Sequence, residues 1–371
     1  MKEFVRQILH SCKEKQIKSA YYQLYQKIID VNPHLGKYAE GEEQWLEIWR
    51  QYDKTIKPTA YRIFSRYVGQ NMDILPLEFS ASKIEPCMTP GAFTDYYSDK
   101  NMLHRMFPSH YMPRYYLRNV RGYFMDAEYN MLSEQQVEKI LSDIDDEKIV
   151  LKPSREGSGR GFCVLYKKEG HFRTKDGQRL TVDFLKRVYK KDYLLMAWAE
   201  QSDFAAQFND TSVNTIRMAT YRDMHGSIQP LGAAMRFGAV GAVLDNAHCG
   251  GVFCGIMPNG TLQPYVCDWL GRKQETFNHH DFSRNAYTIP NWSEVQRFAT
   301  NVSKHVLHHD LVALDIYIDK TNTPKLIEIN VGSFASWFFQ FAGFPTFGAY
   351  TKEIVERYTA SQCRESFTMN I

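Results

Sequence analysis

The stretch ALDIYIDKTNTPKLIEINVG, Ala313 to Gly332, constrains the fold more than any other. Two strongly apolar runs flank the polar turn Thr321, Asn322 and Thr323, a pattern that reads as a β-hairpin. Side chains alternate faces along a strand. Asp315, Tyr317 and Asp319 therefore share one face, and Leu314, Ile316 and Ile318 share the other. On the return strand Glu328 and Asn330 share a face. A turn centred near residue 322 sets Asp315 opposite residues 328 to 330, so two carboxylates and an amide oxygen converge. Strands this apolar belong in a core, where like carboxylates repel strongly. A hard cation resolves the conflict. Oxygen ligands without His or Cys suit Mg²⁺ that keeps phosphate oxygens in its shell.

A second stretch supplies what such a cation would serve. IVLKPSREGSGRGF, Ile149 to Phe162, ends an apolar strand on Lys152 and follows it with Gly157, Gly159 and Gly161. The spacing is wrong for a dinucleotide-binding turn, and the loop leads into a strand, GFCVLYKK, and not into a helix. No GK[ST] sequence marks a P-loop. What remains is a flexible turn between antiparallel strands, whose amides fold over phosphates without Cβ hindrance. Lys152 points its ammonium at the same oxygens.

The rest of the chain falls into two textures. Residues 1 to about 75 read as helices, with apolar positions at mixed three and four spacing. No chemistry-bearing motif appears there, which suggests a helical packing or partner-docking region. Beyond Leu75, Ser133 and Gln136 form a capping box for a helix to about Ile144. Thr181 starts a short helix, and DYLLMAW, VNTIRMATYRD and IQPLGAAMRFG read as strands. A helix from about Ser293 to His308 precedes the acidic hairpin, and a last one begins near Phe347. Hairpins with interspersed helices predict an α+β fold.

Bulk properties exclude several classes. The 371 residues carry a net charge of only +3 with Lys and Arg scattered, which is no nucleic-acid footprint. No apolar run approaches the length of a membrane span. The N-terminus mixes charges into its apolar positions and has no signal-peptide core. Seven widely spaced cysteines, none in CxxC spacing, read as reduced thiols of a cytoplasmic protein. The paired histidines His279–His280 and His308–His309 are adjacent in sequence and read as no metal site. Trp337 to Phe344, WFFQFAGF, reads as packing and part of an acceptor pocket.

An Asp, a Glu thirteen residues on and an Asn two further resemble the metal triad of the ATP-grasp fold, and LKPSREGSGRGF is similar to the lysine and glycine-loop segment of D-alanine–D-alanine ligases. SDKNMLHRMF resembles the segment that opens ATP-grasp domains, with Lys100 as the second phosphate-binding cation. NTIRMATYRD, AAMRFG and LDNAHCGG resemble the acyl-phosphate end of such ligases. Together with FFQFAGFP the pattern looks most like the sugar-transfer-associated ATP-grasp family, over roughly Phe93 to Tyr350.

The resemblance implies an ATP-grasp fold, two α+β subdomains with ATP between them, preceded by a helical N-terminal region. The divisions expected are 1–92, 93–200 with the glycine loop and 201–360 with the Mg-binding hairpin. It implies an ATP-dependent carboxylate–amine ligase acting through an acyl-phosphate on a bacterial surface-polysaccharide precursor; a phosphotransferase and a peptide-modifying ligase are the alternatives. ATP would be held by Lys100, Lys152, Glu156, Gly157, Ser158, Gly159 and Gly161, with an adenine hinge at Met196 and Trp198. Asp315, Glu328 and Asn330 would hold one or two Mg²⁺ ions, replaceable by Mn²⁺, and Arg217, Arg236 and Asn246 would serve catalysis. Glu200 and Asp210 both remain as ribose partners. D-alanine ligases carry an arginine two residues before the metal Asp; here Ala313 stands there, so Arg217 or Arg236 must supply that charge. The implied partners are a carboxylate, an amine and polysaccharide-assembly enzymes docked through the N-terminal helices, at the inner face of the membrane.

Overall fold

The computed structural model describes residues 2–157, 159–332 and 334–360; Ser158, expected in the glycine loop, lies outside them. The N-terminal helices form as the periodicity requires: Lys2–Val31 (α1), Glu42–Trp49 (α2) and Thr59–Val68 (α3). Short α, π and 3₁₀ turns then run from Leu77 to Tyr111.

Six antiparallel strands follow. Tyr115–Val120 (β1), Tyr123–Met125 (β2), Lys148–Pro153 (β3), Cys163–Lys168 (β4), His171–Arg173 (β5) and Tyr193–Ala197 (β6) pair in the order β2-β1-β6-β3-β4-β5. The glycine loop joins neighbours β3 and β4, as the sequence predicts. Glu134–Asp143 (α4) starts at the expected capping box, where Ser133 Oγ accepts from Gln136 N and Gln136 Oε1 accepts from Ser133 N. Ser133→Ala should lower unfolding free energy by about 1 kcal/mol in urea titration.

A seven-stranded antiparallel sheet comprises Ile216–Arg222 (β7), Ile228–Phe237 (β8), Val252–Gly255 (β9), Val266–Cys267 (β10), Lys273–Gln274 (β11), Leu311–Ile318 (β14) and Pro324–Asn330 (β15), in the order β11-β10-β9-β8-β7-β14-β15. Thr276–Phe277 (β12) and His280–Asp281 (β13) form a small separate ladder. Trp292–Lys304 (α5) packs on one face of the large sheet, against Val312, Leu314, Ile316, Met218 and Met235. Leu311, Ala313, Ala219, Tyr221 and Phe253 face the other way.

That second face is covered by the N-terminal region. Tyr25, Ile28, Trp45, Trp49 and Phe64 share one buried cluster with those strand residues and with Phe338, Phe339 and Phe341 of Ser336–Phe341 (α6). Phe64 and Phe341 pack with their rings tilted, 4.9 Å between centroids. Gln340 Oε1 accepts from Leu75 N at 2.6 Å, and Gln340 Nε2 donates to Leu75 O at 3.2 Å. The helical segment is thus part of one core with the large sheet. Thr351–Ala360 (α7) closes the chain's described part on the same cluster.

Among the described residues Cys12, Cys163, Cys249, Cys254 and Cys267 are free thiols. Cys87 is disulfide-bonded, which departs from the expectation of reduced thiols throughout. No helix among the described residues is long and apolar enough to cross a membrane.

Candidate active site

The acidic hairpin takes the expected register, with Asp315 opposite Glu328 and Ala313 opposite Asn330. A register shift follows, because Ile316 pairs with Leu326. The extra residue, Ile327, is a β-bulge. It puts Glu328 and Asn330 on the face of Asp315 while Leu326 stays on the core face. The bulge lets one hairpin serve both a dry core and a charged site.

On the other side of β14, Asp315 pairs in register with Arg217 of β7. Arg217 Nε and Nη2 donate to Asp315 Oδ1 and Oδ2 at 2.8 and 2.9 Å, a bidentate pair. Arg236 Nη1 adds a third bond to Oδ2 at 2.9 Å. Arg236 Nη2 also reaches Asp245 Oδ1 at 3.2 Å. Asp315 is 2% exposed. Burial by itself would raise its carboxyl, but the two guanidiniums outweigh it and hold Asp315 well below the usual carboxylate range. Both arginines, from β7 and β8, thus stand on Asp315, two positions from Ala313. Burial pushes the Asp245 carboxyl upward against the pull of Arg236, and Thr215 N donates to Asp245 Oδ2 at 3.0 Å.

The two lysines arrive from different elements. Lys100 Nζ bridges Glu328 Oε2 at 3.1 Å and donates to the Glu156 carbonyl at 3.3 Å. Its segment is tied to the glycine loop: Lys100 N donates to Ser154 O at 2.9 Å, and Arg155 Nε donates to Asp99 Oδ2 at 2.9 Å. Lys152 is 9% exposed and makes no hydrogen bond or ion pair among the described residues. Burial, then the neighbouring Lys100, lower its ammonium to about 7 against the opposing pull of Glu328. Gly159 and Gly161 adopt φ of 74° and 69°, which glycine alone takes without strain. The loop leans across to Leu244, next to Asp245.

These groups line one cavity of about 380 Å³: Lys100, Lys152, Glu156, Gly157, Gly159, Arg217, Arg236, Asn246, Asp315, Glu328 and Asn330 all reach it. Gly161, at the loop's far end, abuts Pro153 instead. Asn330 Nδ2 is buried without an acceptor among the described residues. Among the described residues no group of three or more His, Cys, Asp or Glu is placed to hold a metal; the expected set has two carboxylates and an amide. Asp315 accepts three N–H bonds and so keeps about one of its roughly four acceptor directions.

Other expected residues lie elsewhere or do something further. Met196, expected in a hinge made by the backbone, has its side chain 4% exposed in the core between the sheets, at the end of β6. Trp198 lines a neighbouring cavity of about 580 Å³ with Lys148 and Asp210, and Lys148 Nζ sits 4.0 Å from the Trp198 ring centroid. Glu200 is exposed and pairs with Lys320 at 3.4 Å. Asn246 Oδ1 accepts from His248 N at 3.0 Å and so caps a tight turn while lining the cavity. The paired glycines behind it have steric reasons: Gly250 has φ of 86°, and a Cβ on Gly251 would meet Phe237 O at 2.7 Å and Asn246 O at 2.8 Å. Gly251→Ala should cost about 1–3 kcal/mol, as overpacking does, in a chemical denaturation curve.

Asp245 was missed in the sequence. The signal was present one position before Asn246, but only the course of the loop after β8 shows that this acid meets Arg236.

Residues 95–354 match the model of the sugar-transfer-associated ATP-grasp family. The chain belongs to that family. This places it among the ATP-grasp proteins, and the cavity described above lies between its two large sheets. No curated protein matches the chain. Solved structures similar to this ATP-grasp chain include N5-carboxyaminoimidazole ribonucleotide synthetase from Thermotoga maritima, at 9% identity and TM-score 0.33, covering 68% of this chain and 49% of that one. D-alanine–D-alanine ligase from Coxiella burnetii aligns at 11% identity and TM-score 0.39, covering 71% and 58%. D-cycloserine synthetase aligns at 13% identity and TM-score 0.37, covering 73% of each chain. The chain thus spans about half the length of the first of these.

Proposed function

We propose that the protein joins a carboxylate to an amine at the expense of ATP, through an acyl-phosphate, on a precursor of a bacterial surface polysaccharide. One observation carries the ATP end of this reading: Lys152 is a buried amine without an acceptor among the described residues, set beside Lys100 and the glycine loop and facing the acidic hairpin. An unpaired buried cation is costly unless a ligand completes it. A polyphosphate does so, and it also gives Asn330 Nδ2 an acceptor. Residues 93–200 would supply the loop and lysines, and residues 201–360 the hairpin and arginines. Asp210, beside Trp198, takes the ribose in this reading, and Glu200 does not.

The hairpin's donors fit Mg²⁺. Glu328, Asn330 and the remaining direction of Asp315 are hard oxygen ligands, and cationic side chains already stand on both carboxylates. When bound, the metal would neutralise charge on the transferring phosphoryl group. The chain's own groups do the rest. Lys100 and Lys152 bind and orient the phosphates. The glycine loop covers them and keeps water from the mixed anhydride. A substrate carboxylate oxygen attacks the γ-phosphorus and ADP leaves. The amine nitrogen then attacks the acyl carbon, loses its proton, and inorganic phosphate departs. Arg217 and Arg236, fixed by Asp315 and Asp245, present N–H groups to the oxyanion. Asn246 holds the turn that walls this end.

The test is product analysis with MgATP, a panel of uronic acids and a panel of amines. ADP and phosphate should appear together only when acid and amine are both present, and Glu328→Gln should abolish their release. Phosphate left on the product, without any need for an amine, would replace this reading with a phosphotransferase. The N-terminal helices are the proposed dock for assembly enzymes, at the cytoplasmic face of the membrane.

A further inference from the structure

The cavity just described is not alone on its sheet face. A second one, of about 560 Å³, lies against it where the N-terminal helices meet the segment after the acidic hairpin. Ala335 and Trp337 line both cavities and form their common wall. Ala335 holds a left-handed backbone, φ 59°, unusual for a residue with a Cβ. Such conformations persist where surrounding structure enforces them, and they cluster at ligand sites.

The two chambers differ in charge. Five cations, Lys100, Lys152, Arg160, Arg217 and Arg236, face four carboxylates, Glu156, Asp245, Asp315 and Glu328, in the first. That balance favours a polyphosphate and a carboxylate and disfavours an ammonium. In the second, the charged lining is Glu85, Asp95 and, from α1, Lys13. Glu85 is held in a fixed pose. Ser80 Oγ donates to Glu85 Oε1 at 3.0 Å and Ser336 Oγ donates to the same atom at 2.7 Å. Oε2 has no hydrogen bond among the described residues, although the carboxyl lines the cavity. Tyr21 of α1 closes the wall nearby. Burial, then Glu85, raise its phenol. Burial also raises the Glu85 carboxyl against the bonds from Ser336 and Ser80, and an ammonium in the chamber would favour its charged form.

We propose that this second chamber receives the amine substrate, with its ammonium bound by Glu85 Oε2, and delivers it past Ala335 and Trp337 to the acyl-phosphate. The inference rests on the ligase reading above and adds the site and chemical class of its nucleophile. It also gives the N-terminal helices a role in substrate selection. Once the ammonium has lost its proton to solvent or to a neighbouring base, the neutral amine is no longer held by Glu85 and moves toward the arginines.

The experiment measures binding by calorimetry to the full chain carrying a non-hydrolysable ATP analogue and Mg²⁺. The probes are ethanolamine, glycine, L-lysine and glucosamine, each beside its N-acetyl counterpart. At least one amine should bind while its N-acetyl form does not. Glu85→Gln, which keeps an oxygen for Ser80 and Ser336, should weaken that amine about tenfold or more, the loss of one charge-assisted bond. Affinity for the ATP analogue serves as the folding check and tests the ligase reading separately. If the analogue binds but no amine does, or amine and N-acetyl forms bind alike, or Glu85→Gln leaves the amine unaffected, the proposal is overturned while the nucleotide site stands. If the analogue itself fails to bind, the ligase reading falls first.

Discussion

Asp315→Ala will destabilise the folded protein by about 3–5 kcal/mol, because it strands buried charge that the remaining structure cannot pair. Three guanidinium hydrogen bonds end on this carboxylate. Removing it leaves Arg217 without an ion pair among the described residues and leaves Arg236 with Asp245 there. Equilibrium unfolding in urea would read the loss. The cause is separable from simple truncation by adding Arg217→Met. If the stranded guanidinium is responsible, the double variant recovers part of the loss, whereas two independent truncations would add. The pH dependence has a definite sign. The folded-state carboxyl lies below its unfolded value, so its stabilisation is fully present above the unfolded value of about 4 and is lost as pH falls below it toward the folded one. Asp315→Ala should therefore flatten the acid limb of the stability profile and leave the neutral and alkaline limbs parallel to wild type.

Lys152→Met should move two properties in opposite directions. The apo protein should become more stable, since the fold then no longer carries an unpaired buried cation. Lowering an ammonium to about 7 corresponds to a penalty on the order of a few kcal/mol for keeping it charged. Affinity for MgATP should fall by about 10- to 100-fold, the range expected for one charge-assisted contact. Here the linkage sign is reversed. Because the folded value lies below the unfolded one, the wild type gains stability as pH rises from about 7 toward the unfolded lysine value, and the variant does not. Phosphate binding needs the charged form. Wild type should therefore take up a proton on binding MgATP at pH 8, visible as a buffer-dependent heat in calorimetry, and the variant should not. Wild-type binding without proton uptake would place the phosphates away from Lys152.

What the sequence showed follows from range of interaction. The acidic hairpin was legible because strand alternation and a short turn are local, and they put Asp315, Glu328 and Asn330 together without knowledge of the rest. The glycine loop was legible for the same reason. Arg217 was recognisable as a site residue, but its docking onto Asp315 depends on β7 lying beside β14 across 98 residues of sequence. No periodicity encodes that pairing. The residues of the N-terminal segment gave helices correctly, but an amphipathic pattern states that a face is buried and not against what.

Cutting the chain at the family boundary would therefore be a poor experiment. The face of the large sheet that carries Asp315 and Arg217 at one end carries Ala313, Ala219 and Tyr221 further along, under the tryptophans and tyrosines of the first 90 residues. A fragment beginning at residue 95 keeps every proposed ATP ligand and loses the roof over the sheet that aligns them. Such a fragment should aggregate or expand before its chemistry can be assayed. In this chain the unit that is recognisable by descent is smaller than the unit that folds.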